Sequence, residues 1–366
     1  MTTAWWASGT FGATVVLAWA HARFWRWYFR ARTGPSAQIE FRAADGIPLV
    51  MGYHPAAGPR RYLEPIVLCH GLAANRFNLD FDDYSLARYL AARGFEAFVL
   101  ELRGIGLSRT SRREKSRWTF DDFALRDGPS AVKEALTRTG AERAFWIGHS
   151  MGGMIAYVLG QTNTASSLAG VVAIGSPTTW SRQGYLKPLA RIGRALANLA
   201  WLDRSFIYAS LAPFAGRWHP KAARLMTEPG NIAGPVTRRL VANTFEAVHP
   251  GVLRQFAMWI DEDRFCSVDR SVDYRAGLKR FTPPVLLIAG DADRMAPPGA
   301  LSDVYDAVAS QDKALMVFGR ASGHASAYGH GDLIFARAAP SEVFPRVAEW
   351  VEQHATQKTT SKQATG

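Results

Sequence analysis

The stretch AFWIGHSMGG (144–153) places a serine between small residues, where an apolar run gives way to a helix-forming one. Gly148-His149-Ser150-Met151-Gly152 has the G-x-S-x-G form of a nucleophile elbow. Such a turn is sharp, so its flanks must be small. It lifts the serine hydroxyl clear of the strand. The next backbone N–H, that of Met151, opens a helix and points to where an oxyanion would form. His149 is expected to pack the turn and not to act as a base. A serine hydroxyl needs a base, and the base an orienting carboxylate. The order around an elbow of this type is Ser, Asp or Glu, then His. VLLIAGDADRMAPP supplies Asp291 and Asp293 after an apolar run. Asp293, in a G-x-x-D arrangement, is the favoured acid, and Asp291 the alternative that would cap the turn. GRASGHASAYGHGDLIF then offers two candidate bases, His324 and His330, each after a glycine. In CHGLAANRFNLDF, His70-Gly71 allows a tight turn and Leu72 N–H is the second candidate oxyanion donor. Cys69, just before it, reads as a buried strand residue.

The elements that must position these groups follow from the apolar runs. QIEFRAADGIPLVMGYH (38–54) reads as a hairpin turning at Asp45-Gly46. PIVLC (65–69), EAFVLEL (96–102), AFWIG (144–148), VVAIG (171–175), VLLIAG (285–290) and ALMVFG (314–319) are continuous, as strands buried on both faces are. Helical patterns at 83–93, 129–138, 152–162, 299–310 and 341–353 separate them. The result is an α/β fold, a mostly parallel eight-stranded sheet flanked by helices. The gap of about 110 residues between VVAIG and VLLIAG is too long for a plain connection. It is rich in helix formers and aromatics, and a helical cap over 179–280 is expected. The core then comprises 34–178 and 281–354, followed by a polar, disordered tail at 355–366.

Lys and Arg number 43 against 31 Asp and Glu, a net charge of +12 in 366 residues. That surplus suits a membrane surface or an acidic partner. No zinc-finger or RNA-recognition signature points to nucleic acid. The arginines cluster at 23–32 and at 109–117, the second cluster reading as a solvated loop. Cys69 and Cys266 form neither a disulfide framework nor a metal spacing. AWWASGTFGATVVLAWA (4–20) is uncharged and is followed by HARFWRWYFRAR. Trp5 and Trp6 precede Trp25 and Trp27 by about twenty residues, ~30 Å along a helix, which matches two interfacial belts. Residues 1–33 are therefore expected to be a membrane helix, single-pass or monotopic. By the positive-inside rule the rest would face the cytoplasm. The alternative is an amphipathic helix on the protein's own surface or in one leaflet.

From about residue 38 to 354 the chain resembles the α/β-hydrolase superfamily. HGLAANRFNLDF, the turn Arg103-Gly104-Ile105-Gly106-Leu107-Ser108 and the elbow carry that resemblance. WTFDDFALRD (118–127) is similar to acid-lipase-like members, which implies structural roles for Asp121, Asp122 and Asp127. The segment VLRQFAMWIDEDRFCSVDRSVDYRAGLKRFTPPVLLIAGDADRMAPP also resembles polyhydroxyalkanoate synthases, which carry cysteine where this chain has Ser150. A strand-to-histidine loop of the length reaching His324 is typical of the superfamily. YGHGDLIFARAAPSEVF, however, is similar to the end of acid-lipase-like chains, and there the landmarks His330, Asp332, Leu333–Phe335 and Ala339-Pro340 imply His330 as the base. The resemblance implies a Ser150–Asp293–His330 triad without metal or organic cofactor, acting on a lipophilic ester. An acyltransferase using the same triad, or a non-catalytic scaffold on this fold, are the competing classes. Fold alone does not select a substrate.

Overall fold

The computed structural model describes residues 3–110, 117–197 and 205–358. Eight strands form one sheet in the order β1-β2-β4-β3-β5-β6-β7-β8. β1 (Ala37–Arg42) and β2 (Pro48–His54) form the expected hairpin, with Gly46 at φ 83° in its turn. β2 joins β4 (Ala97–Glu101) antiparallel. The other pairings, through β3 (Ile66–Cys69), β5 (Ala144–His149), β6 (Leu168–Ile174), β7 (Val285–Gly290) and β8 (Lys313–Phe318), are parallel. Strands β3 to β7 are buried throughout, which is why their sequences do not alternate. β6 starts at Leu168, three residues ahead of the apolar run VVAIG. Gly170 lies inside this extension. In the fold it is the place where Trp350 lies against the strand, 2.8 Å from where a Cβ would stand.

The principal helices are α1 (Thr3–Tyr28), α2 (Leu86–Ala92), α3 (Gly128–Thr139) and α4 (Met151–Leu159). The insertion between β6 and β7 carries α5 (Leu186–Ala197), α6 (Ser205–Leu211), α7 (Gly234–Asn243) and α8 (Pro250–Glu262). α9 (Pro298–Ala307) and α10 (Ala339–His354) close the sequence of elements. α3, α4 and α8 enclose one face of the sheet, and α2 and α10 cover the other. The chain leaves β3 toward β4 on one side and returns to β5 on the other. The crevice at such a reversal, beyond the strands' carboxyl ends, is where α/β sheets place their sites.

Two expectations change. Among the described residues no helix is long and apolar enough to cross a membrane. α1 forms, but Thr, Ser and Gly in its first half and His21, Arg23 and Arg26 in its second dilute its hydropathy. The spanning reading of 1–33 is therefore not supported. The cytoplasmic orientation, which needed a span, goes with it. The side chains of Trp5 and Trp6 lie outside the described residues, as do 111–116 of the second arginine cluster. The tail also starts later than expected. Thr356 binds the Glu64 carboxylate through its N–H and hydroxyl at 2.9 and 2.8 Å, Gln357 pairs with Tyr62, and Lys358 N–H reaches Arg61 O at 2.7 Å. Residues 359–366 lie outside the described residues.

Candidate active site

Ser150 stands between β5 and α4 with φ 54° and ψ −117°. A non-glycine residue reaches that conformation only when its surroundings enforce it. Here Ser150 N–H is tied to Ile174 O of β6 at 2.7 Å. The flanking glycines are required by contact. A Cβ on Gly148 would stand 2.1 Å from the Gly152 carbonyl carbon, and one on Gly152 would stand 2.2 Å from Cys69 O. Strand β5 and helix α4 thus meet backbone to backbone, and the serine takes the strain.

The structure brings Asp293 and His330 together. Asp293 follows β7, and its Oδ2 accepts from His330 Nδ1 at 2.8 Å. Its other oxygen accepts the N–H groups of Met295 and Ala296 at 2.7 and 2.8 Å. Both side chains are buried. Gly175, just after β6 at φ 58°, abuts this pair. A Cβ there would be 3.2 Å from His330 Nδ1 and 3.3 Å from Asp293 Oδ2. The alternatives do other things. Asp291 accepts Tyr328 N–H at 2.8 Å and Arg320 N–H at 3.2 Å, and so braces the loop after β8. His324 keeps Nδ1 at Gly319 and lies over Phe318 with ring centroids 4.6 Å apart.

Gly71 and Leu72 follow β3 on the other side of the elbow. A Cβ on Gly71 would be 3.1 Å from Ser150 Cβ. Among the described residues no backbone carbonyl takes the N–H of Leu72 or of Met151. Both border a small, mostly apolar cleft, whose wall includes Ile105, Phe123, Val248 and Val252. The last two come from the insertion, which therefore lines part of this cleft.

Asn78 and Asn75 went unread in the sequence, and His149 was expected only to pack the turn. Asn78 Oδ1 accepts Gly71 N–H at 2.8 Å and also meets His149 Nδ1 at 3.1 Å. His149 is buried, and through Nε2 it reaches His330 O at 3.1 Å. Burial, with His330 beside it, holds its pKa down to about 3. It stays neutral, so its single ring N–H donates to one of these two oxygens. Asn75 fastens the loop after β3 to the insertion. Its Nδ2 donates to Asn243 O at 2.8 Å and to Glu246 Oε1 at 3.1 Å, while Ala74 pairs with Phe245. Both asparagines stand in LAANRFN, but nothing in that spacing reveals their distant partners. Cys69 is buried in β3 as expected. Asp127 pairs with buried Arg103 at 2.7 Å, and Asp121 and Asp122 hold backbone N–H groups, so all three serve structure.

The family model for the alpha/beta hydrolase fold matches residues 64–330. Human lysosomal acid lipase/cholesteryl ester hydrolase is 32% identical over 140 residues, 34% of each chain. A putative lysosomal acid lipase of Crotalus adamanteus is 31% identical over 136 residues, again 34% of each. The aligned stretch thus spans about a third of the length of these curated relatives. Among solved structures, a soluble variant of the Saccharomyces cerevisiae monoglyceride lipase superposes with TM-score 0.58 at 18% identity, covering 88% of this chain and 97% of that one. A Thermogutta terrifontis esterase gives 0.57 at 17%, covering 88% and 100%.

Proposed function

Because the chain belongs to the alpha/beta hydrolase fold family, we propose that it hydrolyses carboxylic esters through Ser150, His330 and Asp293. The observation that carries this reading is the 2.8 Å contact of His330 Nδ1 with Asp293, with a serine held at φ 54° next to His149, whose ring lies 4.8 Å from that of His330. Asp293 accepts the Nδ1 proton and leaves Nε2 as the base. Nε2 takes the Ser150 proton as Oγ attacks the acyl carbon. The N–H groups of Leu72 and Met151 stabilise the oxyanion. The imidazolium returns the proton to the departing alkoxide, and Asp293 balances its charge meanwhile. Water activated by the same His330 then adds to the acyl-enzyme, and Ser150 leaves with its proton restored.

Lipase and esterase relatives support a lipophilic ester, as does the apolar cleft under residues of the insertion. In this reading the insertion serves as a cap, and the enzyme works at a membrane. A fluorophosphonate probe should label the wild-type chain at Ser150 and leave Ser150→Ala unlabelled. Equal labelling of both would overturn the assignment. p-Nitrophenyl esters of graded length should be cleaved faster as the acyl chain lengthens beyond acetate. Activity on acetate alone would overturn the lipophilic substrate.

A further inference from the structure

α1 is arranged opposite to a soluble surface helix. Its inner face, Ala18, Ala22, Trp25 and Phe29, repeats at helical spacing, and the helix packs on α6 and α7. Ala22 is buried, His21 Nε2 lies 3.3 Å from Ser210 O, and Asn243 Nδ2 donates to Phe29 O at 2.8 Å. The outer face should then be polar. Instead it carries Val16, Leu17, Trp19, Phe24, Trp27 and Tyr28, each about half exposed or more, Leu17 reaching 69%. α6, packed alongside, adds exposed Ile207 and Leu211. A continuous apolar surface of this kind marks a contact that water does not fill.

We propose that this face docks flat on a lipid bilayer bearing anionic headgroups. The proposal deepens the membrane part of the reading above by naming the surface and the lipid charge. The charge pattern selects the occupant. No Asp or Glu occurs before Glu40, and none between Asp203 and Glu228. Arg23 and Arg30 lie over the Trp19 and Trp27 rings, with centroid distances of 4.9 and 5.7 Å. Arg217, Lys221 and Arg224 follow α6 on exposed positions. A second copy of the chain seated here would crowd these cations with no acid to offset them. Anionic headgroups neutralise them, while tryptophan and tyrosine rings settle at the headgroup level. A helix lying on its own domain sinks one face about 5–10 Å, which needs no span. Through Asn243 the docked helix also joins the loop that carries Leu72.

The test uses the full chain and co-sedimentation with two vesicle types, phosphatidylcholine alone and phosphatidylcholine with phosphatidylglycerol. The wild type should pellet with the anionic vesicles and be released by salt. Trp19→Ser, Phe24→Ser and Trp27→Ser together should weaken that partition by more than about tenfold. The same variant should keep its fold by circular dichroism and its turnover of a soluble short-chain ester. Wild-type protein that ignores both vesicles overturns the proposal, as does a triple variant that binds equally. A wild-type dimer that the triple variant dissolves assigns the face to a second copy and also overturns it. Vesicle binding without any ester hydrolysis would leave this surface standing and remove the hydrolase reading instead.

Discussion

Replacing Asp293 by asparagine preserves shape and removes charge, and the surroundings determine which way the amide must face. The end now occupied by Oδ1 meets two donors, Met295 N–H and Ala296 N–H. Turning an NH₂ group toward them would leave both buried donors without an acceptor, at about 1–3 kcal/mol each. The asparagine oxygen therefore stays at that end, and its NH₂ faces His330 Nδ1. That nitrogen must then accept, so the ring proton moves to Nε2, the atom that takes the Ser150 proton in the proposed reaction. The imidazole remains in place in the wrong tautomer. The expected loss is about 10⁴-fold in kcat, or ~5.5 kcal/mol of barrier, with KM little changed. The assay is steady-state hydrolysis of p-nitrophenyl butyrate, with circular dichroism to confirm the fold. Asp291→Asn is the control. It removes a loop brace and should cost less than about tenfold. An Asp293→Asn enzyme that keeps more than about a tenth of its kcat refutes the reasoning. So does an Asp291→Asn enzyme that loses more.

The histidines divide in the same way. His330→Ala should lower kcat at least about 10⁴-fold, and His324→Ala by less than about tenfold, measured on the same ester. Asn75→Ala cuts the ties of the oxyanion loop to Asn243 and Glu246. Its kcat should fall about 10- to 100-fold, with the segment around Asn243 cut faster in limited proteolysis. His149 sets a pH limit. Burial takes its pKa from the usual 6.5 down to about 3 in the folded chain. Between those values the unfolded chain binds a proton that the folded chain does not. Its contribution is complete above pH 6.5 and is lost as pH falls toward 3. Urea midpoints should drop on acidification from pH 7 to 4. His149→Gln should flatten the slope by up to about 1.4 kcal/mol per pH unit, and an unchanged slope would refute the assignment.

The inner strands β3 to β7 were legible because both their faces are buried, so each is an apolar run. β6 starts three residues before the expected run, and Gly170 within that extension meets Trp350. The elbow was legible because it is local. Its two glycines are demanded by contacts within strand, turn and helix and across to the neighbouring β3, so motif and geometry coincide. α1 was legible as a helix but not as a surface. Apolar length alone does not say whether a helix enters a bilayer or lies on its own domain with one face outward.

The amino-acid sequence alone pointed to the alpha/beta hydrolase fold, to the elbow at Ser150, and to a short choice of candidate acids and bases. The tertiary structure brings one acid and one base of that choice into contact. His324 and His330 have the same kind of neighbours in the chain, and counting from β8 or from α10 favours different ones. Only the path of the loop after β8 sets His330 at 2.8 Å from Asp293 and turns His324 back onto Phe318. Asn75, Asn78 and His149 gain their roles in the same manner. A hydrogen bond depends on a distance of about 3 Å in space. Their partners stand far along the chain, where residue type and spacing carry no record of them.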